Sequence, residues 1–181
     1  MNKWVVELSP DEILTAYQVG SKRQHYHAAK GTTSATPNLT GDLVNDTLRL
    51  SQTNIIGVMG EIATAKRLNL YWSPAVTWEK GAVDVGGLFE TRSMLVLNSK
   101  AGKNDLPLRP TDKPHPHVLC WVNPPLVWLM GWMTLSEWEQ QIDKDVFWVE
   151  RGKPPFWAIP KERLNKMDDI EVRRLTNDGS R

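Results

Sequence analysis

The chain has 181 residues, of which 24% are charged, and its formal net charge is +1 at pH 7. This length suits one domain with a sizeable core. The near-neutral charge excludes a polycation, so any contact with nucleic acid must come from local basic patches. The single cysteine, Cys120, excludes an intrachain disulfide and favours a reducing compartment. Because no apolar run reaches membrane-span length and no signal-peptide core is visible, we expect a cytoplasmic protein without membrane contacts.

A capped helix is predicted near the N-terminus. Ser9 can act as its N-cap, Pro10 takes the first helical position, and Glu12 completes a capping box. We expect this helix to cover residues 10–29. It forms most of an N-terminal helical extension that we assign to residues 1–50.

The second half of this helix is the clearest basic patch in the chain. Residues 21–30 contain three cations and two histidines, and no acidic residue. Such a face can contact phosphates. The alternative is a solvated helix end, because the helix dipole favours cations near a C-terminus. The prediction of a nucleic-acid contact here falls on Lys22, Arg23 and Lys30.

A second amphipathic helix opens the predicted core, which we assign to residues 51–175. Over residues 57–69, apolar side chains recur at spacings of three and four: Val58, Ile62, Ala65 and Leu68. Glu61 lies at the edge of this stripe, so its carboxylate can point along the core surface towards a neighbouring sheet. A polar connector at 31–41 and a short helix at 42–50 are expected before it.

The rest of the chain is predicted to be mainly sheet. A helix over 134–142 begins with a capping box formed by Thr134 and Glu137, and one helical turn follows at 160–166. Strands over 88–97 and 106–109 are expected to pair as a hairpin. Most of the nine tryptophans should pack in the core, although an exposed one can stack on a base. The predicted strands are 70–72, 75–78, 88–97, 106–109, 118–122, 126–133, 147–149 and 156–159.

Three carboxylates are candidates for one metal site. Two-residue periodicity puts Glu90 and Arg92 on the same strand face, and the Gly86-Gly87 bend lets Asp84 fold back beside Glu90. Together with Glu61 they offer hard oxygen ligands of the kind that magnesium prefers. The alternative is that Glu90 and Arg92 form a solvated pair on an exposed strand face.

These residues carry a resemblance to a known family. Gly60-Glu61-x-Ala63, Asp84-Val-Gly-Gly and Glu90-x-Arg92 resemble the motifs of the PD-(D/E)XK nuclease superfamily, in particular its small phage and bacterial members. The resemblance implies one α/β domain of the restriction endonuclease-like fold, with a mixed central β-sheet flanked by helices. It implies a nuclease that hydrolyses phosphodiester bonds, with Mg²⁺ or Mn²⁺ as cofactor and DNA as partner. A phage-encoded member would work in the cytoplasm of the bacterial host, and a homodimer stays open.

Within this resemblance, the metal ligands fall on Glu61, Asp84 and Glu90, and the fourth catalytic position falls on Arg92. The family pattern has lysine at that fourth position. Arginine stays protonated, so it can stabilise a negative charge on phosphate but cannot accept a proton from water.

Other basic residues extend the predicted site. The polar loop at residues 98–105 contains Lys100 and Lys103, either of which can supply an ammonium group or be a solvated turn residue. With Arg109 they complete the predicted nucleic-acid-binding set. A catalytically inactive protein of the same fold, which binds nucleic acid or a protein partner, is the alternative function.

Overall fold

The computed structural model describes residues 4–30, 43–76, 83–96, 105–141, 143–149 and 155–170. Its elements in chain order are β1 (Val5–Glu7), α1 (Pro10–Ala29), α2 (Leu43–Leu68), β2 (Glu90–Leu95), β3 (Leu106–Leu108), β4 (His117–Asn123), β5 (Leu126–Met133), α3 (Leu135–Glu139), β6 (Trp148–Val149) and β7 (Phe156–Ile159). Short 3₁₀ turns occupy Lys144–Phe147, Lys161–Arg163 and Met167–Asp169. No helix in the described part of the chain is long and apolar enough to cross a membrane.

The two long helices pack against each other. Helix α1 covers the predicted residues, and its capping box is confirmed: Ser9 Oγ accepts from the Glu12 N–H, and the Glu12 carboxylate accepts from the Ser9 N–H. The predicted helix over 42–50 is confirmed from Leu43 onward, and it is continuous with the next predicted helix in the single element α2. A side chain at Gly20 would lie 2.7 Å from the Ile55 backbone, so glycine permits the close approach of the helices.

A mixed four-stranded sheet forms the centre of the molecule, in the order β1-β5-β4-β2. Strands β2 and β4 are parallel, whereas β4 and β5, and β5 and β1, are antiparallel. The predicted strands over 118–122 and 126–133 are confirmed as β4 and β5. The protein is thus α/β, with a mixed sheet flanked by helices, and the predicted connector at 31–41 lies outside the described residues.

A separate three-stranded sheet has the order β3-β7-β6. The predicted hairpin of 88–97 with 106–109 is therefore wrong, because β3 pairs antiparallel with β7. Leu106 and Leu108 are fully buried there in one apolar cluster with Trp157 and Ile159. The predicted strand over 70–72 is also wrong, since Trp72 makes only an isolated bridge with Val85. Of the strand predicted over 75–78, residues 75 and 76 are not in a strand, and residues 77 and 78 lie outside the described residues.

The central sheet lies between two apolar clusters. Helix α2 packs on one face, where Gly60 approaches Ser93 and Cys120 closely. Burial raises the pKa of the Cys120 thiol to about 12, so this cysteine is an inert core residue. On the other face, Leu119 and Trp138 belong to the cluster shared with the second sheet. Strand β2 is last in the strand order, so it is an edge strand. Its two faces have different environments.

Candidate functional site

The three predicted carboxylates lie on different elements around strand β2. Ser93 faces α2, and because side chains alternate along a strand, Thr91 does too, whereas Glu90 and Arg92 project from the opposite face. Glu61 comes from α2 on the first face. The sheet edge therefore separates Glu61 from Glu90, and any shared chemistry must occur around that edge.

Glu61 is buried in a fully hydrogen-bonded ion pair. Its two carboxylate oxygens lie 2.6 and 3.0 Å from the Arg23 guanidinium nitrogens. Trp72 Nε1 donates to the same carboxylate at 2.8 Å, and Arg23 Nε donates to the Ala75 carbonyl at 3.0 Å. Glu61 is thus a buried carboxylate whose hydrogen-bond partners lie on α1 and in the segment after α2.

The burial of Arg23 corrects the interpretation of the basic patch. Its side chain is only 5% exposed, so it does not present its charge to a phosphate on the surface. The sequence contained a signal for this placement. Ala16, Val19, Gly20 and Arg23 continue one buried stripe at helical spacing.

Asp84 occupies the sheet edge between the other two carboxylates. Its Oδ2 accepts from the Thr91 N–H at 2.9 Å and from Thr91 Oγ1 at 3.4 Å. Gly86 and Gly87 have φ values of 60° and 69°, which confirms the bend that folds Asp84 back on β2. Burial, followed by the negative charges of Glu61 and Glu90, raises the pKa of Asp84 to about 7. Asp84 therefore holds its proton to a much higher pH than an ordinary aspartate does.

Glu90 lies in a second group of charges on the far face of β2. Lys113 Nζ is 2.7 Å from one Glu90 oxygen, and an Arg92 nitrogen is 3.8 Å from the other. Arg92 also contacts Asp112 at 3.1 Å, and Asp112 accepts from the Arg109 N–H at 3.0 Å. These contacts fasten the turn before β4 onto β2.

Two members of this group, Asp112 and Lys113, were not predicted from the sequence. Both belong to the Thr-Asp-Lys-Pro turn at residues 111–114, which is a recognisable turn signal. Only the parallel pairing of β2 with β4 brings the turn to the site.

His117 is buried next to the second group of charges, which consists of Glu90, Arg92, Asp112 and Lys113. It is fully buried, and its Nε2 lies 3.1 Å from the Lys113 carbonyl. Burial, and then the charge of Arg92, lowers its pKa, so the imidazole is neutral at pH 7. Its Nδ1 is a buried atom without a hydrogen-bond partner in the described part of the chain.

The predicted nucleic-acid-binding residues stand on separate elements. Lys22 and Lys30 are exposed on α1, and Lys30 Nζ lies 4.6 Å from the centre of the Tyr26 ring. Arg109 is half-buried beside β3, and its Nε has no hydrogen-bond partner among the described residues. Lys100 and Lys103 lie outside the described residues.

The fit of a divalent metal to this site is partial. Within the described residues, no three histidine, cysteine or acidic side chains are grouped closely enough to hold an ion. Glu61 and Glu90 each pair with a protein cation. Asp84 makes no ion pair with a described residue, and its two hydrogen bonds both use Oδ2. A hard cation beside Asp84 would relieve the repulsion that raises its pKa, so the residues fit an ion there and not between all three carboxylates.

No family model, curated protein or solved structure matches this chain. The α/β architecture and the charge arrangement around Asp84 are therefore the observations on which a function must rest.

Proposed function

We propose that the protein is a nuclease of the restriction endonuclease-like fold that hydrolyses phosphodiester bonds, with DNA as substrate and Mg²⁺ or Mn²⁺ as cofactor. The observation that carries this proposal is Asp84. It is a partly buried carboxylate with two acidic neighbours, a pKa raised to about 7, and no ion pair of its own among the described residues. Groups perturbed in this way concentrate at functional sites.

In this proposal, Asp84 and Glu90 hold the ion, and Glu61 joins them only if it leaves Arg23. The bound ion would supply Lewis-acid polarisation of a phosphate oxygen. Arg92 and Lys113, which contact the two oxygens of Glu90, stabilise the negative charge that develops on the phosphate. The fixed positive charge of Arg92 serves this role although arginine does not accept a proton.

A second candidate is a catalytically inactive protein that binds nucleic acid or a protein partner. One observation favours it: the Arg23 guanidinium occupies both oxygens of Glu61, in a place where a third metal ligand is expected. A permanent protein cation there can replace the metal ion structurally without supplying its chemistry.

Cleavage of supercoiled plasmid separates the two candidates. We expect the wild type to nick plasmid in Mg²⁺ or Mn²⁺ and to stop in EDTA, and we expect Asp84→Ala to be inactive because the ion loses its central ligand. Tyr17→Ala, which removes a ring that is 53% exposed on α1, is the matched control and should keep the activity. Failure of the wild type to nick with either metal, with DNA binding retained in EDTA and in Asp84→Ala, would overturn the nuclease and support the inactive protein.

A further inference from the structure

The carboxylate of Glu61 belongs to a small set of oxygens that surround one cation. Its two oxygens lie 2.6 and 3.0 Å from Nη1 and Nη2 of Arg23, and the Ala75 carbonyl oxygen accepts from Arg23 Nε at 3.0 Å. Carboxylate and carbonyl oxygens are also the ligands that hard divalent ions take in proteins. The guanidinium group therefore occupies a position whose oxygens are of the kind that bind a metal ion.

This position is adjacent to the proposed ion site at Asp84. Trp72 Nε1 donates to Glu61 at 2.8 Å, and Trp72 forms a β-bridge with Val85, the residue after Asp84. The negative charge of Glu61 also contributes to the raised pKa of Asp84, so the two carboxylates interact. One of these two neighbouring carboxylates thus pairs with a protein cation, and the other is the proposed ligand of a divalent ion.

Helix packing fixes the Arg23 side chain at this position. Arg23 is on α1, whereas its partner carboxylate is on α2. Gly20, three residues before Arg23, lets the two helices approach closely. Gln24, the residue after Arg23, accepts from Asn54 Nδ2 on α2 at 3.0 Å. Withdrawal of the guanidinium would therefore disturb the contact between the two long helices.

Electrostatics oppose the exchange of Arg23 for an ion. A guanidinium group does not lose its proton in proteins, so Arg23 cannot release Glu61 by becoming neutral. Both side chains are buried, so solvent ions screen their attraction only weakly. A second divalent ion beside Glu61 would be repelled by this fixed positive charge and by the ion at Asp84.

The cation paired with Glu90 is held differently. The side chain of Lys113 is 35% exposed, and its ammonium group lies 2.7 Å from one oxygen of Glu90. Lysine has a flexible stem and a compact, strongly hydrated charge, so the ammonium group can move into solvent and leave Glu90 to an ion. The buried two-point contact of Arg23 with Glu61 has no such route. The two ion pairs therefore predict different behaviour towards a metal ion.

We propose that Arg23 is a fixed internal cation that takes the place of a second metal ion, so that the site binds one divalent ion, at Asp84, and not two. Glu61 is then a positioning residue. Paired with Arg23, it stays outside the coordination of the ion and holds Trp72 against the bend that carries Asp84. A residue of the N-terminal helix thus sets the number of ions. The inference rests on the proposed function for the ion at Asp84.

The test counts the Mn²⁺ ions bound per chain, from the electron paramagnetic resonance signal of the free ion. We expect one ion in the wild type and two in Arg23→Ala, which leaves space for an ion and its waters beside an unpaired Glu61 carboxylate. Arg23→Ala/Glu61→Gln removes that carboxylate charge as well and should return to one ion. Arg23→Lys keeps the positive charge and should bind one ion. Lys66→Met, the matched control, breaks a different ion pair between α1 and α2 and should also bind one.

Thermal unfolding extends the test to a variant that is too unstable to fold without metal. An ion that binds only the folded state raises Tm, by roughly 5–10 °C at a hundredfold excess over Kd for a chain of this length. The wild type and Arg23→Ala/Glu61→Gln should gain one such shift, whereas Arg23→Ala should gain about two. If Arg23→Ala is unfolded without metal, Mn²⁺ should restore a cooperative unfolding transition.

Four outcomes would overturn the inference: two ions in the wild type, no additional ion in Arg23→Ala, two ions in Arg23→Ala/Glu61→Gln, or an Arg23→Ala chain that stays unfolded in saturating Mn²⁺. A wild type that binds one ion together with an Arg23→Ala variant that also binds one refutes only this inference. An ion in Arg23→Ala and none in the wild type refutes the ion at Asp84, and with it the nuclease, but supports Arg23 as the cation that excludes metal from Glu61.

Discussion

Replacement of Arg23 by methionine is expected to lower the free energy of unfolding by about 3–5 kcal/mol, the usual effect of breaking a buried ion pair. The side chains of Arg23 and Glu61 are only 5% and 4% exposed. Without the guanidinium, the Glu61 carboxylate keeps only the Trp72 hydrogen bond among its described partners, and its charge stays buried without compensation. Urea unfolding at pH 7 measures the change.

Two controls separate the effect of the broken pair from that of altered side-chain packing. The double variant Arg23→Met/Glu61→Leu should recover most of the stability, because replacement of both partners by apolar groups is often neutral. Lys66→Met breaks a partly exposed pair with Glu12 and should change stability by less than about 1 kcal/mol. An Arg23→Met variant no less stable than Lys66→Met would show that the buried pair does not hold α1 to α2.

The stability of the protein is expected to fall as the pH rises from about 4 to about 8, through Asp84. Its folded-state pKa, about 7, is above its ordinary value of 3.8. Below pH 4 the carboxyl is protonated in both the folded and the unfolded chain, so it has no net effect. Between these two pKa values, Asp84 is ionised in the unfolded chain but stays protonated in the folded one, so the free energy of unfolding falls as the pH rises. Above pH 7 the total loss is about 2–4 kcal/mol, since each pKa unit corresponds to roughly 1.4 kcal/mol.

Asp84→Asn isolates this effect, since asparagine keeps an oxygen that can accept from the Thr91 N–H. The variant should match the wild type near pH 4 and become more stable than it as the pH rises to 8. The difference between the two proteins is the useful quantity, because Glu12, whose pKa is lowered, contributes with the opposite sign in both. Parallel stability curves for the two proteins across this range would refute the raised pKa.

Local sequence signals predicted much of the fold. The capping boxes at Ser9 and Thr134 mark where α1 and α3 begin, because each depends on side chains three residues apart. The sequence signals for the glycine bend after Asp84 and for the apolar runs of β4 and β5 were also local. Each of these features is fixed by neighbours in the sequence, so no tertiary contact was needed to find it.

The features that sequence analysis missed depend on distant partners. Strand β3 pairs with β7, whose residues come about fifty positions later, and no local pattern distinguishes that partner from β2. Arg23 lies on the buried stripe of α1, but that stripe does not identify Glu61 on α2 as the carboxylate that pairs with it. Lys113 contacts Glu90 because the parallel pairing of β2 and β4 brings its turn to the site.

Titration with Mn²⁺, followed by the electron paramagnetic resonance signal of the free ion, tests most directly whether Asp84 is the centre of a divalent-metal site. The wild type should bind one ion per chain, Tyr17→Ala should bind it equally well, and Asp84→Asn should not bind it. Absence of bound Mn²⁺ in the wild type, or equal binding by Asp84→Asn, would contradict the proposed site.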